Sequence, residues 1–206
     1  MTPGPAIEIG VLALQGDFRE HIAMLRALGA NAREVRTPED LDGIAALIIP
    51  GGESTTISRL IDRWGLRQPI LRLAHSGAPV WGTCAGLILV AEKDIDGSVS
   101  TLGLLDVDVC RNAYGSQLDS FQTEVPIPAV GAAPVNAVFI RAPVSTRTGP
   151  WVEVLASLPD GTPIAVRERN LIGSSFHPEL TPDTRFHAYF LALVKEHRRL
   201  SNAAAI

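Results

Sequence analysis

One of the two cysteines lies in a glycine-flanked segment that is typical of a reactive thiol. Residues 82–86, GTCAG, follow one short apolar run and precede another. A cysteine presented at such a strand-to-helix turn is an exposed nucleophile, and small neighbours are needed where strand and helix approach closely. The first N–H groups of the helix point at the same place and can hold an oxyanion. Alternatively, Cys84 is a small buried hydrophobe, and the pentapeptide alone favours neither interpretation.

A thiol nucleophile needs a base, and His177 is the best-placed histidine. It is followed by Pro178 and Glu179, just past an apolar, strand-like run. Pro178 favours extended backbone at His177, and side chains two apart in an extended stretch project to the same side. Glu179 is therefore expected to turn towards the imidazole and fix its tautomer. The alternative, a surface His-Pro turn with a solvated glutamate, is less favoured because both motifs follow strands predicted to end at one sheet edge.

The remaining four histidines are not expected to take part in chemistry. They lie in predicted helices and are expected on the surface or on helix faces: His21, His75, His187 and His197.

Residues 50–54, PGGES, form a third glycine-containing segment after an apolar run. As a phosphate cradle it lacks the lysine of the P-loop motif, and Glu53 would repel a phosphate. The segment is better explained as a loop whose backbone N–H groups face Cys84 from the opposite side. It would then supply a second oxyanion donor, with Glu53 able to hold a cationic amine.

The elements that position these residues alternate between strand and helix. Apolar runs at 7–14, 43–50 and 78–83 predict buried strands, and residues 30–35 predict another. Helices are predicted after Asp17 as N-cap, over 54–76 with a break near 65–69, and directly after Cys84, beginning with AGLILVAEK (85–93). This alternation predicts a mostly parallel sheet with helices on both faces and a ligand site at the carboxyl ends of the strands.

The second half of the chain has a different pattern. From about residue 102 to 176, frequent turn residues and short apolar runs predict several antiparallel strands. A last helix is predicted from Thr181 as N-cap, with Pro182 at its first position. The sequence thus predicts one α/β domain over residues 1–206, a three-layer sandwich with a flexible tail at residues 1–6.

Bulk composition excludes several classes of protein. The chain has 206 residues, a net charge of −4 and a pI near 5.7, which give no sign of nucleic acid or an anionic membrane as partner. No apolar run approaches the roughly 20 residues of a membrane span, and no signal peptide is recognisable. Two cysteines do not make a disulfide scaffold, so we expect free thiols and a cytoplasmic location. No metal or cofactor is expected.

Taken together, these segments resemble the class I (triad) glutamine amidotransferases, and most closely the glutaminase subunits of pyridoxal 5′-phosphate synthase. The triad motifs indicate only the superfamily, whereas ALQGD, GGEST and FIRAP indicate the subfamily. The matching segments span nearly the whole chain: GVLALQGDFREHI (10–22), PGGESTT (50–56), GTCAGLILVA (82–91), RNAYGSQLDSF (111–121), FIRAP (139–143) and FHPELTPDTRFHAYFL (176–191).

The resemblance implies a glutaminase. Cys84 would attack the side-chain carboxamide of L-glutamine, His177 would move the protons and Glu179 would orient it. The oxyanion donors would be the Ala85 N–H and an N–H of the Gly51–Gly52 loop. The implied glutamine contacts are Gly52, Glu53, Ser54, Arg111, Ile140 and Arg141, with Gln15 helping to set the loop. Which arginine contacts the α-carboxylate is left open.

The resemblance also implies a partner. The ammonia would pass to a lyase-type synthase subunit with a (β/α)₈ barrel, in a ring of twelve synthase subunits carrying twelve glutaminases.

Two positions depart from the family pattern: Ser116 stands where a basic residue is expected, and Gln122 where an acidic one is common. The alternatives are a glutaminase subunit of another amidotransferase and a cysteine-elbow module that senses oxidants; the latter would not need the His177–Glu179 segment.

Overall fold

A computed structural model describes residues 7–111 and 120–204. The expected flexible tail at residues 1–6 and the departure at Ser116 lie outside the described residues. The strands are β1 (Glu8–Leu12), β2 (Asn31–Val35), β3 (Ala46–Ile49), β4 (Val80–Thr83), β5 (Ala91–Asp94), β6 (Leu105–Cys110), β7 (Ser120–Val125), β8 (Val135–Ile140), β9 (Val144–Thr148), β10 (Glu153–Ser157), β11 (Pro163–Glu168) and β12 (Leu171–Ser174). The helices are α1 (Phe18–Ala27), α2 (Ser54–Arg63), α3 (Arg67–His75), α4 (Ala85–Val90) and α5 (Arg185–Ala204), with 3₁₀ turns at Pro38–Leu41 and Pro178–Leu180.

A seven-stranded sheet forms the centre of the fold, in the order β10-β11-β12-β4-β3-β1-β2. From β12 to β2 all neighbours pair in parallel, whereas β10 and β11 add an antiparallel edge. Two smaller sheets, β5-β6-β9 and β7-β8, come from the second half of the chain. This arrangement confirms the predicted mostly parallel α/β fold with added antiparallel strands.

The central strands are buried on both faces, which explains their nearly continuous apolar runs. In β3, Ala46 and Ile48 pack into one hydrophobic core, whereas Leu47 and Ile49 pack into the other. Apolar residues of α1 and α5 complete the first core, and those of α2, α3 and α4 complete the second. The sheet is therefore the middle of three layers, as predicted.

The boundaries of two helices, the end of α4 and the start of α5, differ from the prediction. The helix after Cys84 ends at Val90, and residues 91–94 form β5. The reason is tertiary: backbone N–H groups of residues 102–104 bond to the carbonyl groups of residues 89–91, which a continuing helix would have used. Strand β9 was not predicted.

The last helix begins at Arg185, so the prediction of Thr181 as its N-cap was wrong. Thr181 instead closes the 3₁₀ turn at 178–180, and its Oγ1 accepts the N–H of Asp183 at 3.3 Å. The Asp183 carboxylate then accepts the N–H of Arg185 at 3.0 Å. A local side-chain bond of this kind offers the backbone an alternative to helix and delays the start of α5.

In the described ranges, no helix is both long and apolar enough to cross a membrane.

Candidate active site

Cys84 occupies a strained turn between β4 and α4. Its backbone has φ +48° and ψ −105°, outside the regions that L-residues normally adopt. The turn is possible because Gly82 and Gly86 have no side chains: a Cβ on Gly82 would overlap the Gly86 carbonyl, and a Cβ on Gly86 would overlap that of Ile49. Such strain is typical of residues held in place for chemistry. The structure therefore gives Cys84 the nucleophile-elbow geometry expected from the sequence.

The neighbouring strand β12 brings His177 to the same edge of the sheet. Strand β12 lies parallel to β4 with Ser174 opposite Thr83, and the Cys84 N–H donates to the Ser174 carbonyl at 2.8 Å. Three residues later, the His177 N–H donates to the Val138 carbonyl at 2.8 Å. These backbone bonds fix the histidine loop against the cysteine turn, and His177 is only 4% exposed.

Glu179 contacts His177, but not through the extended backbone expected from the sequence. Residues 178–180 form a 3₁₀ turn, which bends the carboxylate back towards the imidazole. The Glu179 Oε1 atom lies 2.7 Å from His177 Nδ1. A carboxylate accepts, so Nδ1 carries the proton and Nε2 is left to face the thiol.

Asp17 is a further carboxylate at this histidine that sequence reasoning missed. It precedes α1 at the predicted N-cap position, but its side chain makes no capping hydrogen bond, and its Oδ2 instead lies 3.4 Å from His177 Nδ1. The ligand atoms of Asp17, His177 and Glu179 all lie within 4.8 Å of one another. Three such atoms are the minimum for a cation site, but here both carboxylates already contact the same imidazole nitrogen.

The electrostatics of the pair favour a charged imidazole. Burial opposes protonation of His177, but its hydrogen bonds with Asp17, Cys84 and Glu179 outweigh burial and raise its pKa. Burial raises the pKa of Glu179, against the opposing effect of His177. An imidazolium beside a thiolate is the state that a cysteine nucleophile requires.

The Gly51–Gly52 loop lies close to the triad, and Gln15 helps to hold it. Gln15 Oε1 accepts the Glu53 N–H at 2.7 Å. The Gly51 carbonyl accepts the Asp17 N–H at 3.4 Å, so the Gly52 N–H of the same trans peptide points the opposite way. The loop must be glycine because a Cβ on Gly51 would overlap the imidazole of His177.

A cavity of about 400 Å³ opens at this edge of the sheet, a size that suits a small ligand. It collects most of the residues expected from the sequence, whereas Gly51 and Glu179 are not in its lining. Asp17 and Ile88 also line it and were not expected. The lining residues are Gln15, Asp17, Gly52, Glu53, Ser54, Cys84, Ala85, Ile88, Arg111, Ile140, Arg141 and His177.

Charged groups of both signs lie at the cavity. The Glu53 carboxylate caps α2 by accepting the N–H of Thr56 at 2.6 Å, and it lies 3.5 Å from Arg111. Although partial burial opposes ionisation, these capping hydrogen bonds lower the pKa of Glu53. Arg111 also donates to Ser98 at 2.6 Å, whereas Arg141 is exposed and has φ +45°. The cavity can therefore pair with both an ammonium and a carboxylate group of one ligand.

His21 and His187 were expected on the surface or on helix faces; both do lie on helices, but neither is at the surface. Both side chains are fully buried behind the triad. The signal was present in the helical spacing, since His21 lies four residues before Leu25 and His187 four before Leu191, and both leucines are buried. The other two histidines agree better with the expected surface location, since His75 is exposed and His197 is partly exposed.

A strained cysteine elbow beside a His–Glu pair, on a mostly parallel α/β sheet, defines the class of triad amidotransferases. The SNO glutamine amidotransferase family model matches residues 11–196. The chain belongs to this family.

Curated relatives of similar length support the assignment. A Dehalococcoides mccartyi protein named "Pyridoxal 5'-phosphate synthase subunit PdxT" is 56% identical over 195 residues, covering 93% of this chain and all of that protein. A protein of the same name from Clavibacter sepedonicus is 50% identical over 203 residues, covering 96% and 97% of the two chains.

Solved structures agree on the fold. A chain described as "Crystal structure of glutamine amidotransferase" superposes with a TM-score of 0.86 at 46% identity, covering 91% of this chain and 98% of its own. A chain described as "Structure of PurLQS from Thermotoga maritima", at 16% identity and a TM-score of 0.67, shares the fold, with coverage of 91% and 98%.

Proposed function

We propose that this chain is the glutaminase subunit of a pyridoxal 5′-phosphate synthase and hydrolyses L-glutamine to L-glutamate and ammonia. One observation carries the proposal: the strained Cys84 and the His177–Glu179 pair meet at one cavity that carries both an anionic and a cationic side chain. The names of relatives at 50–56% identity over nearly the whole chain indicate the particular synthase.

In the proposed reaction, transfer of the Cys84 thiol proton to His177 Nε2 gives a thiolate–imidazolium pair, and the thiolate sulfur then attacks the side-chain carbonyl carbon of glutamine. The oxyanion is held by the Ala85 N–H, at the start of α4, and by an N–H of the Gly51–Gly52 loop. His177 returns the proton to the departing nitrogen, the C–N bond breaks, and ammonia leaves a glutamyl thioester.

The second half of the reaction uses the same groups. His177 takes a proton from water as the oxygen attacks the thioester, and the C–S bond then breaks to give glutamate. The sulfur recovers its proton from His177. Glu179 orients the imidazole and stabilises its charged form through the 2.7 Å contact with Nδ1.

The cavity also supports recognition of the amino-acid end of glutamine. Glu53 is ionised and would hold the α-ammonium, while Arg111 or Arg141 would hold the α-carboxylate with a forked donor. Ser54 is buried at the start of α2, and the Ile140 carbonyl lies 3.8 Å from the Cys84 sulfur. These two residues would close the cavity around the carboxamide and the chain of the substrate.

The proposal includes a partner and a context. The chain would act as one glutamine amidotransferase domain in the cytoplasm and deliver ammonia to a synthase subunit with a (β/α)₈ barrel. Twelve such subunits would carry twelve glutaminases. The synthase would combine the ammonia with a pentose phosphate and a triose phosphate to make pyridoxal 5′-phosphate.

The test is glutamate formation with and without the pyridoxal 5′-phosphate synthase subunit. We expect hydrolysis to rise when the synthase is added, with Cys84→Ala as the inactive control. A rise with an imidazole-glycerol-phosphate or anthranilate-type synthase, and not with this one, would refute the assignment. No hydrolysis under any pairing would favour a redox-sensing module instead.

A further inference from the structure

A buried pair of histidines continues the triad away from the cavity. His21, on α1, and His187, on α5, are both fully buried. His21 Nδ1 lies 2.9 Å from His187 Nε2. On its other side, His21 Nε2 lies 3.2 Å from Thr83 Oγ1 and 3.4 Å from Glu179 Oε2. Two helices and the β4 strand that precedes Cys84 therefore meet at one polar cluster inside an apolar core.

The surroundings of both histidines favour the neutral form. Burial, together with the neighbouring His187 and His177, keeps the pKa of His21 well below its ordinary value. Burial alone lowers the pKa of His187 to about 4. A neutral imidazole has one N–H donor and one acceptor nitrogen, so the tautomer of each ring decides to which neighbour it donates and from which it accepts.

The contacts favour one choice of tautomers. If His21 carries its proton on Nε2, it can donate towards Thr83 Oγ1 and Glu179 Oε2, and its Nδ1 accepts from His187 Nε2–H. What remains is a lone pair on His187 Nδ1, which has no partner among the described residues. The opposite choice would bury an unpaired N–H on His187 and turn the Nε2 lone pair of His21 towards a carboxylate. An unpaired buried donor and this repulsion both cost free energy, so the first arrangement is preferred.

Glu179 needs a donor on this side. Its Oε1 contacts His177, whereas its Oε2 is buried and forms no close hydrogen bond in the parts of the chain that the structure describes. The potential donor that faces Oε2 is His21 Nε2, at 3.4 Å. A buried carboxylate with one free oxygen is costly to keep charged, and burial raises its pKa. The other titratable groups close to it are Asp17 and His177, both of which line the cavity.

We propose that His21 is a positioning residue that donates its Nε2–H to Glu179, keeps that carboxylate ionised and aims it at His177, with His187 fixing the tautomer of His21. This inference rests on the proposed glutaminase function. It extends the catalytic triad to a five-residue chain: Cys84, His177, Glu179, His21 and His187.

The rival explanation is that His21 only fills space. Its ring packs edge-on against Trp81 with centroids 5.5 Å apart, so an apolar residue would serve equally well in that case. The two explanations differ in whether an N–H at the Nε2 position matters.

The test compares three variants of His21 in the complex with the synthase subunit. Gln can place an amide N–H near the position of Nε2, Asn can do so only near Nδ1, and Met offers neither. For Met we expect kcat for glutamine hydrolysis to fall about 10- to 100-fold, with KM unchanged and the acidic limb of the pH profile moved to higher pH. Gln should restore most of kcat, whereas Asn should not.

Three controls separate positioning from packing. Val194→Ala, in the same core, should lower the melting temperature without changing kcat per folded enzyme. His75→Gln, on the exposed end of α3, should change nothing. In a Glu179→Gln background, His21→Met should cause little further loss of kcat, because residues that act through one another are not additive.

The outcomes distinguish the inference from the function on which it rests. An active wild type whose His21→Met variant keeps full kcat and an unchanged pH profile would overturn the role of His21 alone. A wild type inactive with its synthase would refute the proposed function. Independently of activity, ¹⁵N NMR of the histidine rings should show His21 protonated on Nε2, and a proton on Nδ1 instead would also overturn the inference.

Discussion

Single residues decide the chemistry of this site, and their conformations explain what the sequence could predict. Cys84, His177 and Glu179 were predicted to lie together because each lies in a local motif at a strand exit, and the structure places them at one edge of the sheet. Asp17 and His21 were not identified, since neither belongs to a motif that reveals its partner. Both reach the triad from the segment around α1, and only the fold brings that segment to β12.

The buried histidines should make stability depend on pH. In the native state His187 is neutral down to a pKa of about 4, whereas unfolded histidine takes up a proton near pH 6.5. Between these values the unfolded state binds more protons, so the free energy of unfolding falls as pH falls. Each such histidine contributes a slope of about 1.4 kcal/mol per pH unit.

Urea unfolding of the wild type and of His187→Phe at a series of pH values isolates this contribution. Between pH 6.5 and 4, we expect the free energy of unfolding of the variant to fall less steeply with pH than that of the wild type, by about 1.4 kcal/mol per pH unit. Above pH 6.5 the two slopes should agree. His177 has the opposite sign: its raised pKa gives stability that is complete below about pH 6.5 and is lost at higher pH, so it does not affect this window. Equal slopes in both proteins would show that His187 is protonated in the native state.

At the scale of elements, the site depends on the parallel pairing of β4 with β12. It was predictable that both strands end at one edge of the sheet, because each is a short apolar run followed by a motif, GTCAG in one case and His177-Pro178-Glu179 in the other. The register of the pairing, with Ser174 opposite Thr83, was not predictable, and neither was the 3₁₀ turn that brings Glu179 back to His177. The late start of α5 likewise depends on the Asp183 carboxylate, whose side-chain bond competes with a local N-cap signal.

The close approach of α4 to the sheet should make Gly86 intolerant of any side chain. A Cβ there would overlap the Ile49 carbonyl, which is backbone and cannot turn away. We expect Gly86→Ala to lower the free energy of unfolding in urea by about 3 kcal/mol or more.

Gly29 is the matched control for this substitution. It follows α1 with φ +75°, and a Cβ added there would meet no atom within 4 Å, so Gly29→Ala should cost only the backbone strain of about 1 to 2 kcal/mol. If Gly86→Ala were no more destabilising than Gly29→Ala, the helix and strand would not be packed as described.

At the scale of the whole molecule, the fold can be predicted from patterns in the sequence, whereas the partner cannot. The mostly parallel sheet and the three layers follow from the alternation of strands and helices, which sequence patterns reveal. The order of the strands in the sheet was not predicted. The partner does not follow from any such pattern in this chain. The names of the curated relatives indicate the partner. No local motif of the sequence marks the surface to which the partner would bind.

Catalysis and assembly should therefore separate cleanly. Cys84 is 5% exposed and lines the cavity, so its side chain is poorly placed to touch a docking protein. We expect Cys84→Ala to lose glutamine hydrolysis and still sediment with the synthase subunit in the wild-type ratio. Failure of this variant to join the complex, while it remains folded, would give Cys84 a structural role.

Covalent capture by a diazo-ketone analogue of glutamine tests the central claim most directly, because the reagent alkylates only a thiolate that attacks from the substrate site. With the synthase present, mass spectrometry of digested protein should find Cys84 modified once per chain and Cys110 unmodified. Excess glutamine should protect Cys84, and His177→Asn should slow the labelling strongly. An unmodified Cys84 in an enzyme that is hydrolysing glutamine, or equal labelling of both cysteines, would contradict the assignment of Cys84 as the nucleophile.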